Sequence, residues 1–99
     1  MLSFFVYILK CSDGSYYVGH TDDMDRRLAQ HQSGELGGYT SLRRPVTLVY
    51  VAEFPEREQA KEFEHRVKGW SRKKKDALIA GDWSAVSAWA KRPSRQPRE

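Results

Sequence analysis

Apolar, aromatic and β-branched side chains fill two short segments near the amino terminus. Phe4–Cys11 and Tyr16–Gly19 both have the composition of β-strands. The four residues between them, Ser12-Asp13-Gly14-Ser15, are small or polar and include a glycine, which is typical of a tight turn. The pattern therefore predicts a β-hairpin.

A more polar segment with helical features follows the hairpin. Thr21-Asp22-Asp23 offers side chains that can cap a helix, and Gly34 is the residue type at which helices commonly end. Between them, Met24–Ser33 has apolar residues at helical spacing. We therefore predict a first helix over Met24–Ser33, followed by the flexible, glycine-rich connection Gly34–Gly38.

The second half of the chain predicts one more strand and at least two helices. Val46–Phe54 alternates in polarity and is rich in Val, Thr and Tyr, as expected of a strand. Glu56–Trp70 repeats its apolar residues at helical spacing. Ser71–Ala80 can form a further helix, capped by its serine and stopped by the glycine that follows. Trp83–Ala90 can form a last short turn or helix.

This order of elements, β-β-α-β-α-α, indicates an α+β fold in which helices flank a small three-stranded antiparallel or mixed sheet. With 99 residues, of which 39% are hydrophobic and 30% charged, the chain has the size and composition of one ordinary soluble domain. We expect a single domain over residues 1–90. Residues 91–99 are rich in proline and basic side chains, which predicts a mobile basic tail.

Three features narrow the class of protein. The longest apolar run, Phe4–Leu9, is too short to span a membrane, so no membrane partner is expected. Cys11 is the single cysteine and cannot form an internal disulfide, which makes the reducing cytoplasm the expected location. Gly34–Gly38 lacks the Gly-Lys-Ser/Thr ending of a phosphate-binding loop, which excludes that nucleotide-binding motif. No small-molecule cofactor is expected.

The length of the hairpin turn decides how two tyrosines are arranged. A two-residue turn at Asp13-Gly14 would place Tyr7 and Tyr17 on opposite faces of the sheet. A three-residue loop, Ser12-Asp13-Gly14, with a left-handed glycine, would instead pair Leu9 with Tyr17 and put both phenols on one face. The sequence leaves both registers open.

Helical geometry separates ordinary surface charges from polar residues that face inward. In the first predicted helix, Met24 and Leu28 define the buried stripe, and His31 falls between them in projection. Arg27 lies on the flank of this stripe, whereas Arg26 projects to the opposite side. Because Arg27 and His31 are four residues apart, they can reach one site at the edge of the sheet.

Glu64 is the most conspicuous acidic residue of the chain. In the second predicted helix it projects with Ala60 and Val67 on the apolar face. A carboxylate is unfavourable there unless it is paired or holds a cation. Two interpretations stay open: a salt bridge to Arg27 or Arg43, or a metal site.

Charge is unevenly distributed along the chain. Residues 1–42 hold 3 Lys/Arg and 5 Asp/Glu, whereas residues 43–99 hold 14 and 8, for a formal net charge of +4 overall. Six basic residues cluster around Trp70: Arg66, Lys68, Arg72, Lys73, Lys74 and Lys75. Such a cluster is compatible with nucleic-acid contact and equally with a solvated surface that promotes solubility.

Several of these residues together resemble the GIY-YIG endonuclease family. They are Val6-Tyr7-Ile8, Tyr17-Val18-Gly19, Arg27, His31 and Glu64. Three further segments are similar to the short stand-alone bacterial branch of that family, the YhbQ-like proteins: Tyr39-Thr40, Arg43-Arg44-Pro45 and Val67–Arg72. The resemblance implies the same α+β fold and the hydrolysis of phosphodiester bonds in DNA, in a structure-specific or repair-related reaction.

The resemblance also implies roles for individual residues. Tyr17 would be the general base, Tyr7 would hydrogen-bond the phosphate or the attacking water, and Arg27 would stabilise the developing charge. The candidate catalytic residues are Tyr7, Tyr17, Arg27, His31 and His20.

A tyrosine base would need help from its surroundings. Because a free tyrosine has a pKa of about 10, Tyr17 would need a nearby positive charge to act at neutral pH. Arg27, His20 or Lys10 could supply it. If neither phenol is the base, His20 or His31 would be the better candidate, because an imidazole titrates near neutrality.

By the same resemblance, Glu64 would hold one divalent ion, Mg²⁺ or Mn²⁺. One carboxylate suffices because such an ion keeps several waters and takes other oxygens from the substrate, so it should bind weakly without nucleic acid. The residues expected to contact nucleic acid are Arg43, Arg44, Lys68, Arg72, Lys73 and Lys74.

Two other classes of function stay open. A non-catalytic nucleic-acid-binding module would keep the fold and the basic residues, with Glu64 merely ion-paired. A protein-interaction domain would be favoured if the basic residues were dispersed in space. The sequence leaves the substrate open, whether branched, damaged, single-stranded or RNA, and it leaves the oligomeric state open.

Overall fold

The computed structural model describes residues 3–81 and shows the expected α+β fold with the elements in the expected order. The elements are β1 (Phe4–Lys10), β2 (Tyr16–Thr21), α1 (Met24–Ser33), β3 (Thr47–Phe54), α2 (Arg57–Lys68) and α3 (Arg72–Ala80). The sheet, α1 and α2 belong to one compact unit, and Trp70 begins a second unit that contains α3. The turn or helix predicted at 83–90, the domain end near residue 90 and the basic tail lie outside the described residues.

The three strands form one antiparallel sheet in the order β2-β1-β3. As the central strand, β1 is the most buried: Val6, Tyr7, Ile8 and Leu9 are all 0% exposed. Because successive residues of a strand point to opposite faces, both faces of β1 are covered. The register between β1 and β3 shifts between Ile8 and Leu9.

The hairpin adopts the register of the three-residue loop. Leu9 lies opposite Tyr17, and Tyr7 lies opposite Gly19. Gly14 has a φ of +87°, a left-handed conformation that a glycine adopts without steric cost. Of the two arrangements that the sequence left open, the structure therefore has the one with both tyrosines on the same face.

Helix α1 covers the face that carries the tyrosines. The buried core on this face consists of Tyr7, Leu9, Cys11 and Val46. Met24 and Leu28 of α1 pack against it and are partly buried, as the helical projection predicted. The buried residue of α1 is His31, a polar side chain.

Local signals in the sequence account for the ends of the helices. The Asp23 side chain accepts a hydrogen bond from the Arg26 amide, and Gly34 ends α1 with a φ of +79°, so α1 has the predicted bounds. Helix α2 ends at Lys68, before the predicted end at Trp70. Ser71 caps α3 by accepting a hydrogen bond from the Lys74 amide. Across residues 3–81, each helix falls short of the length and apolar content that a membrane-spanning helix needs.

Candidate active site

Tyr7 of β1 and Tyr17 of β2 lie side by side on the face of the sheet that α1 covers. Their ring centroids are 6.4 Å apart. Their surroundings differ, because Tyr7 is completely buried, whereas Tyr17 is partly exposed. The pair therefore places one phenol inside the protein and the other at its surface.

His31 connects the inner tyrosine to the loop that follows α1. It is 3% exposed, and its Nε2 lies 2.9 Å from Tyr7 Oη while its Nδ1 lies 2.7 Å from Thr40 Oγ1. Burial, and then the positive charge of Arg27, lower the pKa of His31. The ring is therefore neutral near pH 7, so one of its nitrogens donates a hydrogen bond and the other accepts one.

The hydroxyl of Tyr7 is strongly held in its protonated form. Burial raises the pKa of Tyr7 to about 12, with a further contribution from Tyr17, whereas Arg27 acts in the opposite direction. A direct hydrogen bond from Tyr7 to phosphate or to the attacking water, expected from the resemblance, does not fit a side chain that is 0% exposed and bonded to His31. The structure thus places Tyr7 beneath the accessible surface, with His31 as its partner.

Gly19 owes its identity to the close approach of Tyr7. A Cβ atom at position 19 would lie 2.5 Å from Tyr7 Oη and 2.7 Å from Tyr7 Cζ, which is far inside van der Waals contact. Gly19 is not among the glycines with positive φ. Glycine is therefore needed at this position to make room for the buried phenol, not to permit an unusual backbone conformation.

Glu64 projects from α2 and is held by two side chains. His20 Nδ1 donates to Oε1 at 2.5 Å, and Lys68 Nζ lies 2.8 Å from Oε2. The salt bridge anticipated for Glu64 thus exists, but with His20 and Lys68 in place of Arg27 or Arg43. Burial alone would raise the pKa of Glu64; the hydrogen bonds from Lys68 and His20 outweigh it and lower the pKa. The carboxylate, with 13% of its side chain exposed, is therefore ionised.

Lys68 links Glu64 to the outer tyrosine. Besides its ion pair with Glu64, it interacts electrostatically with Tyr17. Sequence reasoning named Arg27, His20 or Lys10 as the source of positive charge for Tyr17. Lys68 is an additional source, and its position four residues after Glu64 on one helix was the signal that could have revealed it.

Arg27 borders an open cavity of about 260 Å³ beside α1. The cavity is lined by Thr21, Asp22, Asp23, Arg26, Arg27 and Gln30. Arg27 is partly buried, donates from Nε to Gln30 Oε1 at 3.2 Å, and acts electrostatically on Tyr7 and His31. Its guanidinium therefore lies next to the tyrosine pair and can be reached from solution, as the helical projection predicted.

The candidate residues Tyr7, Tyr17, Arg27, His31 and Glu64 lie near one another but at two depths. The ring of Tyr17 lies 5.2 Å from that of His31, and Glu64 acts electrostatically on Tyr7. Tyr7 and His31 are buried, whereas Tyr17, Arg27 and Glu64 lie at the accessible level, with His20 bound to Glu64 beside them.

Arg43 and Arg44, both expected to contact nucleic acid, already have partners within the protein. Arg43 Nε lies 3.1 Å from Asp13 Oδ2, and its Cζ lies 3.8 Å above the centre of the Tyr39 ring. Arg44 donates to carbonyl oxygens at the end of α1, including that of Ser33 at 3.2 Å. These contacts shape the loop after α1, and a phosphate contact by either arginine stays a prediction.

The basic residues near Trp70 differ in exposure. The side chain of Lys68 is 54% exposed and that of Arg72 is 52% exposed. Lys73 is likewise exposed. The structure corrects the prediction that Lys74 contacts nucleic acid. Lys74 is only 7% exposed, and its Nζ lies 3.9 Å from the centre of the Trp70 ring. Helical rotation turns this lysine inward, so it does not offer an open phosphate contact.

The donor set at Glu64 suits a hard cation that keeps most of its own water. Residues 3–81 contain no group of three or more His, Cys, Asp or Glu side chains arranged around one metal position. A structural zinc site, which needs four protein ligands, therefore does not fit this part of the chain. A single ionised carboxylate does fit Mg²⁺ or Mn²⁺, because waters and phosphate oxygens complete their coordination.

Comparison with known proteins identifies relatives over the same part of the chain. A family model described as the GIY-YIG catalytic domain matches residues 3–76. A UPF0213 protein of Bacillus pumilus is 48% identical over 75 residues, which cover 76% of each chain. A UPF0213 protein of Halalkalibacterium halodurans is 46% identical over 79 residues, which cover 80% of this chain and 84% of the relative.

Two solved structures are also similar. The solution structure of the UPF0213 protein BH0048 from Bacillus halodurans aligns with a TM-score of 0.53 and 46% identity, and covers 79% of this chain and 83% of that one. The solution structure of the protein EF2693 from E. faecalis aligns with a TM-score of 0.57 and 36% identity, and covers 80% and 84%. Their names specify neither an activity nor a substrate.

Proposed function

The chain belongs to the GIY-YIG family of nucleases, and from that premise we propose that it is a metal-dependent endonuclease that hydrolyses phosphodiester bonds in DNA. The observation that carries this proposal is the grouping of Tyr17, Arg27 and Glu64 around the buried pair of Tyr7 and His31. Phosphodiester hydrolysis requires a base, a positive charge and a site for a divalent ion. These three accessible residues supply one of each.

Tyr17 is the proposed general base. It is the phenol of the pair that solvent and substrate can reach, whereas the Tyr7 hydroxyl is buried and kept protonated by a pKa of about 12. Lys68 interacts electrostatically with Tyr17 and supplies positive charge beside it. In this assignment Tyr17 accepts the proton of the attacking water at its Oη.

Tyr7 and His31 act as positioning residues. Their hydrogen bond fixes the inner phenol, and the His31 ring contacts Tyr17 from below, at 5.2 Å between ring centroids. Arg27 is the proposed electrostatic group: its guanidinium borders the open cavity beside α1 and can reach the charge that develops on a phosphate oxygen. Each of these residues is fixed by partners before substrate arrives.

Glu64 is the proposed metal ligand. A bound Mg²⁺ or Mn²⁺ would supply Lewis-acid stabilisation of the phosphate and the leaving oxygen. His20 and Lys68 hold the carboxylate in its ionised form and in one orientation. Because both of its oxygens already have a partner, Glu64 offers a weak site until nucleic acid contributes further oxygens.

A second candidate function is favoured by the same contacts of Glu64. A carboxylate that is fully paired with His20 and Lys68 satisfies the requirements of a buried charge without any metal. The chain would then be a non-catalytic nucleic-acid-binding module. In that case its affinity for nucleic acid would persist, but metal would change neither binding nor the integrity of the substrate.

A cleavage panel separates the two functions. Labelled single-stranded, duplex, branched and damaged DNA, and matching RNA, are incubated with Mg²⁺ or Mn²⁺ and either the natural protein or Glu64→Ala. We expect metal-dependent cleavage of DNA that Glu64→Ala slows at least about 100-fold, since loss of metal assistance costs several kcal/mol. Glu62→Ala is the matched control, because Glu62 lies on the same helix, is exposed and pairs only with Arg66 among the salt bridges of residues 3–81. Equal cleavage by natural protein and Glu64→Ala would indicate a contaminating nuclease and favour the binding module.

A further inference from the structure

The loop between α1 and β3 contacts two residues of the site, Tyr17 and His31. The ring of Tyr39 stacks on that of Tyr17, with 6.2 Å between centroids and 24° between planes. The next residue, Thr40, is 2% exposed and bonds His31 Nδ1 at 2.7 Å. Two consecutive loop residues thus touch two different site residues, one at the surface and one inside.

Arg43 holds this loop against the hairpin. Its Nη1 donates to the Tyr39 carbonyl at 2.8 Å, and its guanidinium lies over the Tyr39 ring at 3.8 Å. Its Nε pairs with Asp13 Oδ2 at 3.1 Å, and its own carbonyl accepts a hydrogen bond from the Ser12 amide at 2.9 Å. One side chain therefore joins the tip of the hairpin to the residue that rests on Tyr17.

Asp13 is itself fixed in place at the hairpin tip. Its Oδ1 accepts hydrogen bonds from the Ser15 amide at 3.0 Å and from the Ser15 hydroxyl at 2.6 Å, while Oδ2 faces Arg43. An isolated exposed ion pair contributes little to stability. The ion pair between Asp13 and Arg43 instead fixes the orientation of the Arg43 side chain. A planar guanidinium that contacts a carboxylate, a carbonyl and a ring has one orientation.

Core packing does not account for this arrangement. Tyr39 is 42% exposed, and the side chains of Arg43 and Asp13 are 35% and 49% exposed. A tyrosine that is held on a second tyrosine by an arginine at the surface buries little apolar area. It instead covers one face of the Tyr17 ring, at the residue that carries the proposed chemistry.

We propose that Arg43, anchored by Asp13, is a positioning residue that clamps Tyr39 onto Tyr17 and thereby fixes the orientation of the Tyr17 hydroxyl. We call Asp13, Arg43 and Tyr39 the clamp. The expected effect of the clamp on the cleavage rate rests on the proposed function. Its expected effect on the orientation of Tyr17 rests on the contacts alone. The clamp gives Arg43 a different role from the phosphate contact that the sequence predicted.

Two measurements on the full chain test the clamp. The first is the NMR spectrum of ring-labelled tyrosines without substrate, in which Tyr17→Phe assigns the Tyr17 signal. The second is single-turnover cleavage of the substrate that the panel identifies, measured together with the dissociation constant for that substrate. In Arg43→Ala we expect a shifted and broadened Tyr17 signal, a rate lower by about 10- to 100-fold and an unchanged dissociation constant, since small misplacements of a reacting group have effects of this size.

Matched variants separate positioning from folding. Arg57→Ala removes another arginine that pairs with an aspartate, Asp22 at 3.6 Å, and lies over a ring, that of Phe4 at 4.7 Å. It should change neither the Tyr17 signal nor the rate. Tyr39→Phe keeps the stacked ring and should cleave at the natural rate. Tyr39→Ala removes the ring and should lower the cleavage rate as much as Arg43→Ala does.

Three results would overturn the clamp. One is an unchanged Tyr17 signal in Arg43→Ala. Another is a larger dissociation constant in Arg43→Ala with an unchanged rate, which would make Arg43 a phosphate contact. The third is an equal loss of rate in Tyr39→Phe and Tyr39→Ala. If the natural protein cleaves no substrate, the proposed function fails, and the Tyr17 signal in Arg43→Ala alone decides whether the clamp exists.

Discussion

Tyr7 Oη and His31 Nε2 lie 2.9 Å apart in the interior of the protein, although 24 residues separate them in the sequence. Neither residue has more than 3% of its surface exposed. A phenol with a pKa of about 12 and a neutral imidazole satisfy each other's hydrogen-bonding groups there without a buried charge. The pair therefore lies beneath Tyr17, the accessible tyrosine for which we propose the proton transfer.

The burial of His31 predicts how stability depends on pH. The pKa of His31 in the folded protein lies below its usual value of 6.5, because burial disfavours the charged ring. The unfolded chain therefore binds more protons than the folded protein as pH falls through 6.5 towards the lowered pKa. The contribution of His31 to stability is complete above this range and is lost as pH falls through it.

Thermal unfolding between about pH 8 and about pH 5 measures this loss. His31→Gln keeps hydrogen-bonding groups and removes the titration, so its melting temperature should fall less steeply with acid than that of the natural protein. His65→Gln, at an exposed position on α2, is the control and should leave the pH dependence unchanged. An identical acid dependence in His31→Gln would show that His31 is not the group responsible.

Gly19→Ala tests the close packing around the inner tyrosine. The new Cβ would fall 2.5 Å from Tyr7 Oη, so the ring has to move and its hydrogen bond with His31 is disturbed. We expect a loss of about 1–3 kcal/mol in the free energy of unfolding, as for other overpacked cores. Chemical denaturation measures it. Gly69→Ala is the control, because its nearest neighbour, the Arg66 carbonyl, would be 3.6 Å away, and a comparable loss in both variants would contradict the packing argument.

The elements of the fold were predictable because their signals are local. Asp23 and Gly34 bracket α1 within one turn of its ends, and the predicted bounds of that helix match the structure. The local signal Ser12-Asp13-Gly14-Ser15 predicted the hairpin and narrowed its register to two, and the pairing of Leu9 with Tyr17 in the structure identifies the three-residue loop. Such features are determined by neighbours in the sequence, so the sequence carries them.

The partners of polar side chains were less predictable because they lie far apart in the chain. Helical projection placed Glu64 on the buried face, but not opposite His20, which is 44 residues away. Arg43 lies 30 residues from Asp13, and only the folded loop shows that its guanidinium pairs with that aspartate. Lys74 resembles its neighbours in the basic run, yet it is buried over Trp70. A run of basic residues in the sequence predicts the sign of the surface charge, but it does not predict which side chains pair with one another.

The difference between two adjacent lysines tests the proposed nucleic-acid contacts. Lys73 is exposed, whereas Lys74 is 7% exposed and lies over Trp70. Each phosphate contact that is lost lowers the slope of log affinity against log salt by about 1. We expect this decrease in Lys73→Gln and not in Lys74→Gln, which should instead lower the melting temperature. Fluorescence anisotropy over a series of salt concentrations measures both slopes, and equal slopes in the two variants would contradict the assignment.

The assignment of chemistry to Tyr17 and of support to Tyr7 predicts different consequences for the two hydroxyls. Tyr17→Phe keeps the ring and should cost only about 1 kcal/mol of stability, the net value of one hydrogen bond. Tyr7→Phe leaves the buried His31 Nε2 without its partner and should cost about 1–3 kcal/mol. Thermal and chemical unfolding of both variants verify that they are folded before any rate is compared.

The most direct test of the account is the single-turnover cleavage rate of the two variants on the same DNA, with saturating protein and divalent ion. General-base catalysis contributes about 100- to 10,000-fold, so Tyr17→Phe should cleave at least about 100 times more slowly than the natural protein while binding DNA normally. Tyr7→Phe, which loses an orienting contact, should be slowed less. Equal and small effects of the two substitutions would contradict the account, because neither phenol would then be the base, and the proton would have to go to another accessible group such as His20.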